Sequence, residues 1–440
     1  MTSTARLRQN DHGVPHDLIE DILVKLPVKS LVRFKYVSEQ WFRLITDPCF
    51  IDRHLSNQSK NGPGFVTASS RFVHPNFGPR NYIFLGSIVI NGDTNTIPPT
   101  YIRMVGVPEE YCYDMLNSCD GILCFRGAFN IWVYNPATKE YRLLPFGPGM
   151  KFIIAHDQHL NCFVTDFIFH IYIAGPWCSS HPHGQLGIGR DLVTKKYKIV
   201  RFCNTYPSKT GQDHRHHDFC AVFTLDPNPN ACWKTIGEVP YRINPCSRSV
   251  YANGAIYWFT DEICHLNKTE VIVMFDLHNE KFQAIPHPSS CSNKQRRTMQ
   301  LGTLRECLCL AQQEVDSQAL NIWKMEKQQQ QKMTWEKLYC IQLMDNGNDP
   351  LQIGPRFAFA EHRDGTLTVC TEDKVYLLKQ NDEIRCVSRR YGQYVPTAFT
   401  ESLVPIYGKT VTQIKRLPIA FVESLVPIYK ATMIQFENLP

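Results

Sequence analysis

The sequence predicts a multidomain α+β protein, with a small amino-terminal unit of three helices followed by a longer all-β, propeller-like domain. Two observations predict this division. Apolar residues recur at helical spacing between residues 13 and 57, and after residue 64 the pattern changes to the alternation and turns of strands. The composition of the 440-residue chain favours a β-rich body as well, since 12% of its residues are aromatic and 28 are prolines.

The composition also limits the class of protein. The formal net charge is +6, which neither requires nor excludes a nucleic-acid partner, and none is expected because Lys and Arg form no basic block. The 17 cysteines are odd in number and irregularly spaced, as is typical of reduced, buried thiols. The chain shows neither a signal sequence nor an apolar run long enough to span a bilayer. We therefore expect a protein of the cytoplasm and/or nucleus with no membrane partner.

Residues 13–57 are predicted to form three short helices. Pro27 ends the first helix, and Ser38 is a suitable amino-terminal cap for the third, which contains Trp41. A unit of this size buries little surface by itself, yet it carries apolar residues on more than one helical face. The remaining apolar surface must pack against the rest of this chain or against a partner with a groove for helices.

This segment contains a gapless series of motifs: Val14-Pro15-His16-Asp17-Leu18-Ile19-Glu20-Asp21-Ile22-Leu23, Leu26-Pro27-Val28-Lys29-Ser30-Leu31-Val32-Arg33-Phe34, Val37-Ser38, Trp41, Leu44-Ile45, Asp47-Pro48 and Phe50. The series closely resembles the F-box of plant F-box proteins. It departs from the common pattern at Val14, Tyr36 and Glu39-Gln40, where Leu, Cys and a basic residue are frequent. The resemblance implies a partner, since F-boxes bind the Skp linker protein, which joins them to a cullin in SCF ubiquitin ligases.

A rigid helical wedge with a Trp and several Leu or Ile anchors is suited to a hot-spot interface. The predicted contacts with the Skp linker are Pro15, Leu18, Ile22, Leu26, Pro27, Leu31, Val37 and Trp41. Half or more of these apolar residues could instead belong to the intramolecular core, and the sequence does not separate the two groups. Replacing Trp41 or Leu26-Pro27 is expected to abolish linker binding while the β domain stays folded.

After a polar linker, a pattern of strand, polar turn and strand recurs about six times, at intervals of about 36–56 residues. These intervals separate the second strands of the copies, which start at Tyr141, Tyr197, Trp233, Phe282, Trp335 and Ile384. The first strands of the copies start at Ile131, Asp191, Val222, Val273, Ile322 and Val375. Asp120-Gly121, Asn253-Gly254 and Asp364-Gly365 are hairpin dipeptides, because both turn positions require positive φ. A ring of small sheets would bury their faces and avoid exposed edges, so a propeller is favoured over a stacked β-sandwich.

Three segments of this region resemble the plant F-box-associated domain, which is related to kelch repeats: 117–124 with 133–138, 271–277 with 280–282, and 401–404. In that family the domain recognises the substrate. The resulting division is a flexible tail at 1–12, the F-box at 13–57, a linker at 58–64, the propeller-like domain at 65–407 and a tail at 408–440.

The carboxy-terminal region contains a duplication. Residues 396–407 are nearly repeated by residues 418–429. The first copy matches the end of the resembled domain and is predicted to supply the strand that closes the ring. The second copy is interpreted as a dispensable tail, with a competing strand for the same position as the alternative.

No catalytic motif is complete. Gly408-Lys409-Thr410 lacks the first glycine of a phosphate-binding loop, where Leu403 stands, and His362-Arg363-Asp364 lacks the downstream Asn of a kinase loop. The histidine groups 181–183 and 214–217 lie in polar stretches without metal-ligand spacing. We therefore expect no catalytic residue, metal or cofactor.

The sequence predicts a non-catalytic adaptor subunit of an SCF-type ligase, whose β domain holds a target protein for ubiquitination. One alternative is an F-box scaffold or inhibitor that acts without degradation. A less favoured alternative is a propeller metalloenzyme.

Overall fold

The computed structural model describes residues 16–59, 64–71, 82–88, 100–103, 113–127, 131–145, 185–204, 218–241, 243–244, 247–260, 271–288, 299–314, 318–327, 333–343, 353, 357–362, 365–371, 374–378, 384–389 and 397–410. The amino-terminal unit consists of four helices: α1 His16–Leu23, α2 Val28–Phe34, α3 Glu39–Thr46 and α4 Pro48–Ser59.

Side-chain caps mark where α3 and α4 begin. The Ser38 hydroxyl accepts a hydrogen bond from the Trp41 N–H at 3.1 Å, which confirms the predicted cap of α3. The Asp47 carboxylate accepts from the Cys49 and Phe50 N–H groups at 2.8 and 3.2 Å.

The predicted number of three helices is wrong. Asp47 both follows α3 and caps α4, and Pro48 occupies the first turn of α4, where its missing N–H costs nothing. From the sequence alone, Asp47-Pro48 is predicted to end the third helix, with another short turn beginning at Phe50 and Ile51. The 12-residue helix that follows extends to Ser59, past the predicted start of the linker.

The remainder of the described chain consists of strands. Their bounds are β1 Gly64–Arg71, β2 Tyr82–Ile88, β3 Thr100–Arg103, β4 Tyr113–Cys119, β5 Ile122–Gly127, β6 Ile131–Asn135, β7 Glu140–Leu143, β8 Leu186–Arg190, β9 Tyr197–Asn204, β10 Asp218–Leu225, β11 Lys234–Glu238, β12 Val250–Ala252, β13 Ala255–Phe259, β14 Val271–Asp276, β15 Lys281–Pro286, β16 Met299–Leu304, β17 Cys307–Glu314, β18 Ala319–Lys327, β19 Met333–Gln342, β20 Phe357–Glu361, β21 Leu367–Thr371, β22 Lys374–Leu378, β23 Ile384–Arg389, β24 Thr397–Phe399 and β25 Lys409–Thr410.

The described strands form six antiparallel sheets, which confirms the predicted propeller and the count of about six repeats. With the innermost strand of each sheet written first, the sheets are β24-β1-β2-β3, β4-β5-β6-β7-β25, β8-β9-β10-β11, β12-β13-β14-β15, β16-β17-β18-β19 and β20-β21-β22-β23. We number them blades 1 to 6 in this order. The first strands of successive blades contact one another from β4 through β8, β12, β16 and β20 to β24, and β24 contacts β4. The ring of blades is therefore closed.

Closure joins the two ends of the propeller domain. Strand β24 pairs with β1, with Phe65 opposite Ala398 and Val66 opposite Thr397. Blade 1 thus takes its innermost strand from the carboxy-terminal region and its other strands from the amino-terminal one. This confirms that the first copy of the duplicated segment supplies the closing strand; the second copy lies outside the described residues.

Two tight turns have the backbone conformation predicted for hairpins. Asp120 and Gly121 have φ of +46° and +79°, and Asn253 and Gly254 have +48° and +79°, as predicted for the hairpin dipeptides. Asp364 lies outside the described residues, although Gly365 has a φ of +80°.

The strand predicted at residues 191–194 is wrong. The Asp191 carboxylate accepts from the Val193 and Thr194 N–H groups at 2.9 and 3.2 Å, which closes a turn between β8 and β9. This local bonding overrides the strand preference of the apolar residues that follow Asp191.

The helices and blades share one hydrophobic core. Buried side chains of α1 to α4, among them Leu23, Ile45 and Phe50, form a continuous cluster with Ile122 of blade 2 and Ile188 of blade 3. In the part of the chain that the structure describes, no helix is long and apolar enough to cross a membrane.

Candidate functional site: the exposed face of the F-box segment

The helical segment has two apolar faces with different surroundings. One face packs into the shared core through Leu23, Val24, Val28, Leu31, Ile45, Phe50, Ile51 and Leu55, which are 0–7% exposed. Five other apolar side chains of the segment are exposed: Leu18, Ile22, Tyr36, Val37 and Phe42, by 52, 59, 88, 62 and 50%. Leu18 and Ile22 are one turn apart on α1 and therefore lie on the same side of it. We call these five residues the open face.

The structure divides the residues predicted to contact the Skp linker into groups. Leu18, Ile22, Pro27 and Val37 are exposed, Leu26 and Trp41 are half-buried against the core, and Leu31 is fully buried. Pro15 lies outside the described residues. Their contact with a partner stays a prediction.

The Leu31 side chain is buried by other residues of this chain and belongs to the shared core, so it is not accessible to a partner. Tyr36 and Phe42 were not among the predicted contacts, although both are exposed. The available signal for Phe42 was its place on the apolar side of α3; Tyr36 stood out only as a departure from the common F-box pattern.

Trp41 serves the packing of the helices. Its ring lies edge-on against Phe34, with centroids 5.2 Å apart and an interplanar angle of 72°. Its side chain packs against the shared core and is only partly exposed. A substitution of Trp41 would therefore disturb the helices as well as any interface, so the exposed residues are cleaner probes of partner binding.

A buried histidine fixes α4 to the turn after α1. The His54 side chain is 0% exposed, and its Nε2–H donates to the Leu26 carbonyl at 2.9 Å. Its Nδ1 atom is buried without a hydrogen-bond partner, which suits a neutral ring with an unprotonated Nδ1. Burial lowers the pKa of His54 below its ordinary value of 6.5, opposed by the Leu26 carbonyl.

The lowered pKa of His54 predicts loss of stability in acid. The unfolded state takes up the proton near pH 6.5 and the folded state only at lower pH, so the stabilisation is complete above 6.5 and declines below it. We expect the free energy of unfolding to fall between pH 7 and 5 by at most about 1.4 kcal/mol per pH unit from this group. Denaturant titrations of wild type and His54→Gln at both pH values measure it. An equal pH dependence of the two proteins would contradict this role.

The helices sit on one face of the propeller. Successive strands are antiparallel, so the turns β4–β5, β6–β7 and β8–β9 all lie at this face, which we call the F-box face. Arg190, at the end of β8, pairs with Asp52 of α4 at 2.5 Å, and Lys29 of α2 lies 3.9 Å from Glu401. The carboxy-terminal end of β7 and the amino-terminal end of β8 lie at the opposite face.

Arg190 belongs to a polar cluster beneath the helices. Its guanidinium lies 4.0 Å from the Asp120 carboxylate, which accepts a hydrogen bond from the Tyr197 hydroxyl at 2.9 Å. Burial raises the pKa of Asp120, and Tyr197 and Arg190 oppose that shift. The cluster holds the helical segment in a fixed position on blades 2 and 3.

Within the described residues, no three His, Cys, Asp or Glu side chains are grouped to hold a metal ion. The histidines at 181, 183, 214, 216 and 217 lie outside the described ranges. The Gly408-Lys409-Thr410 motif adopts the edge strand β25, which pairs with β7.

The comparisons with known proteins agree with this architecture. Residues 12–53 match the F-box domain family, and residues 87–428 match the family described as the F-box associated beta propeller domain. The second match ends within the second copy of the duplicated segment, at the equivalent of Ile406.

Three Arabidopsis thaliana proteins illustrate the relationship. An F-box/LRR-repeat/kelch-repeat protein is 28% identical over 75% of this chain and 78% of its own length. An F-box/LRR-repeat protein is 27% identical over 90% and 84%, and an F-box protein is 29% identical over 71% and 87%.

Likeness to solved structures is weak. An acylaminoacyl peptidase aligns with a TM-score of 0.36 and 9% identity over 74% of this chain and 46% of that chain, which supports no argument. The match to the propeller family spans most of the sequence and follows directly after an F-box. The chain therefore belongs to the family of F-box proteins that carry an F-box-associated β-propeller domain.

Proposed function

We propose that this protein is a substrate-recognition adaptor of an SCF-type ubiquitin ligase, with the open face docking on the Skp linker and, through it, on a cullin. The observation that carries the proposal is the open face itself. Three of its five residues, Leu18, Ile22 and Val37, were predicted as linker contacts, and all five are at least half exposed. Several exposed apolar side chains on one small helical unit are typical of a protein interface.

The shared core supports the adaptor role. The helices pack into the same hydrophobic cluster as blades 2 and 3, and Arg190 ties α4 to the end of β8. A partner on the open face is therefore held at a fixed position relative to the propeller. Ubiquitin transfer would occur on other subunits, and this chain would raise the local concentration of the target protein beside them.

The target protein is proposed to bind the propeller face opposite the F-box face, since the helices cover part of the latter. The SCF assembly implies work in the cytoplasm and/or nucleus. Neither the binding of the target protein nor the cellular location requires a catalytic group in this chain.

The open face is tested by single aspartate substitutions. Ile22→Asp and Val37→Asp each place a charge where an apolar contact is expected, so we expect at least about 30-fold weaker binding of the purified Skp linker, equivalent to about 2 kcal/mol. Both side chains are exposed, so the unfolding midpoint should stay near that of wild type. Binding is measured by calorimetry or biosensor with the full-length protein.

Val193→Asp is the matched control. Val193 is 67% exposed, like Val37 at 62%, but lies on the turn between β8 and β9 and outside the helical segment. It should bind the linker as wild type does. Wild-type affinity of both Ile22→Asp and Val37→Asp would contradict the proposed docking surface.

A further inference from the structure

The chain that follows the ring-closing strand runs across one end of blade 2. Strand β24 ends at Phe399 on the inner side of blade 1, and β25 begins at Lys409 on the outer edge of blade 2. Residues 400–406 connect these two strands and therefore pass over blade 2 from the inside of the ring to its outside. We call residues 400–406 the crossing segment.

Blade 2 binds the crossing segment through the two turns that it presents at the F-box face. In the turn β4–β5, the Asp120 carbonyl accepts a hydrogen bond from the Ser402 hydroxyl. At the start of the turn β6–β7, the Asn135 side-chain amide donates to the carbonyls of Ser402 and Val404 at 3.2 and 2.8 Å. The crossing segment therefore lies at the F-box face, the same face on which the helices sit.

The apolar side chains of the crossing segment belong to the core that the helices share with the propeller. Leu403, Val404 and Ile406 are 2, 3 and 0% exposed. They are part of the same continuous cluster as the buried residues of α1 to α4. The surface on which the helices pack is therefore incomplete until this segment is in place.

Charged side chains connect α2 to the same segment. Lys29 lies 3.9 Å from Glu401. The Glu140 carboxylate accepts a hydrogen bond from the Ile406 N–H at 2.9 Å. Burial lowers the pKa of Lys35, at the carboxy-terminal end of α2, and the charge of Glu140 opposes that shift. Glu140 therefore interacts with both the end of α2 and the crossing segment.

The two parts of this contact are far apart in the sequence. The helices occupy residues 16–59, and the crossing segment follows the last strand that enters the ring. During synthesis the helices are made first, whereas their packing surface is completed only after all six blades have been made.

We propose that docking of the F-box helices and closure of the ring are coupled, so that the helices are held rigidly on the propeller only when the crossing segment is seated. Coupling between two sites is reciprocal, so docking of the helices also holds the segment in place. The F-box then occupies a fixed position only on a finished propeller. Under the proposed function, this restricts productive assembly of the ligase to chains whose target-binding domain is complete; the coupling itself does not rest on that function.

Gly121→Ala in the full-length protein tests the coupling from the propeller side. A Cβ on Gly121 would lie 2.5 Å from the Ser402 Oγ atom and 2.8 Å from the Thr400 carbonyl oxygen, so alanine displaces the crossing segment. We expect hydrogen exchange to be about fivefold faster or more in peptides of residues 397–406 and of α1 to α4, the effect of losing one buried hydrogen bond. Peptides of β17 and β18 in blade 5 should exchange as in wild type.

Gly254→Ala is the matched control. Gly254 has the same φ of +79° and the same place in a hairpin turn, so alanine strains the backbone equally. The atoms nearest to its Cβ belong to the flexible Leu192 side chain, at 3.1 Å or more. Helical peptides that exchange equally fast in Gly121→Ala and Gly254→Ala would overturn the proposal.

Val28→Ala tests the coupling from the side of the helices and decides the question if Gly121→Ala does not fold. Val28 is 2% exposed in the shared core, whereas Val37, the site of the control Val37→Ala, is 62% exposed. We expect exchange in peptides of residues 397–406 to be about fivefold faster in Val28→Ala, since a buried side chain is shortened, and unchanged in Val37→Ala. Faster exchange confined to the helices would show that the two parts are independent. Neither experiment uses the Skp linker, so its outcome is separate from that of the linker-binding test.

Discussion

Asn135→Asp should destabilise the propeller by about 3–4 kcal/mol, the largest effect expected of any single substitution proposed for this protein. Asn135 is fully buried, and all of its side-chain hydrogen bonds are made. Its amide donates to the carbonyls of Ser402 and Val404, just after the ring-closing strand β24, and its oxygen accepts from the Ala137 and Thr138 N–H groups at 2.9 and 3.4 Å. One side chain therefore shapes the β6–β7 turn and fastens the end of the ring to blade 2.

The aspartate keeps the acceptor role and removes the two donors. A buried carboxylate would then face two carbonyl oxygens with no donor between them, and an unpaired buried charge is strongly destabilising. Protonation restores one donor and removes the charge, so the loss should shrink as the pH falls towards 4.

Denaturant unfolding of wild type and variant at pH 7 and pH 4.5 measures both effects. Asn230→Asp, on an exposed turn, is the matched control and should change stability by less than about 0.5 kcal/mol. A buried variant that unfolds at the wild-type midpoint would show that Asn135 does not secure the ring.

Local patterns in the sequence predicted the parts of the fold that local interactions determine. Ser38 before an apolar helix and the Asp-Gly and Asn-Gly turns were identified because a few neighbouring atoms decide their conformation. The same approach failed where one residue has two roles. Asp47 follows one helix and caps the next, and Asp191 closes a turn through residues that favour strands.

The sequence identified candidate contact residues in the helical segment, but it did not show which of them are exposed. Leu18 and Leu31 belong to the same motif and have the same side chain, yet Leu18 is 52% exposed and Leu31 is fully buried. What separates them is the core built from α4 and from blades 2 and 3, which are distant in sequence. No local signal in the helical segment carries that information, so the open face could be recognised only in the folded chain.

Arg190→Leu should be the second most disruptive change, at about 2 kcal/mol, because Arg190 is a largely buried cation that joins α4 to the propeller. Its side chain is 13% exposed and pairs with Asp52 of α4, with Asp120 beneath it. Leucine leaves the partly buried Asp120 carboxylate without that cation, and removing one partner of a partly buried ion pair is destabilising. By contrast, Lys29→Ala breaks an exposed contact with Glu401 and should cost less than about 0.5 kcal/mol.

The pH dependence distinguishes lost charge pairing from lost packing. Burial raises the pKa of Asp120, so the folded protein binds this proton more readily than the unfolded chain does. Without Arg190 the pKa of Asp120 rises further, and acidification neutralises the stranded carboxylate. The destabilisation of Arg190→Leu should therefore be largest at pH 7 and smaller at pH 5, as measured by denaturant unfolding against wild type at each pH. A loss that is the same at both values would assign the role of Arg190 to the packing of its aliphatic stem and not to its charge.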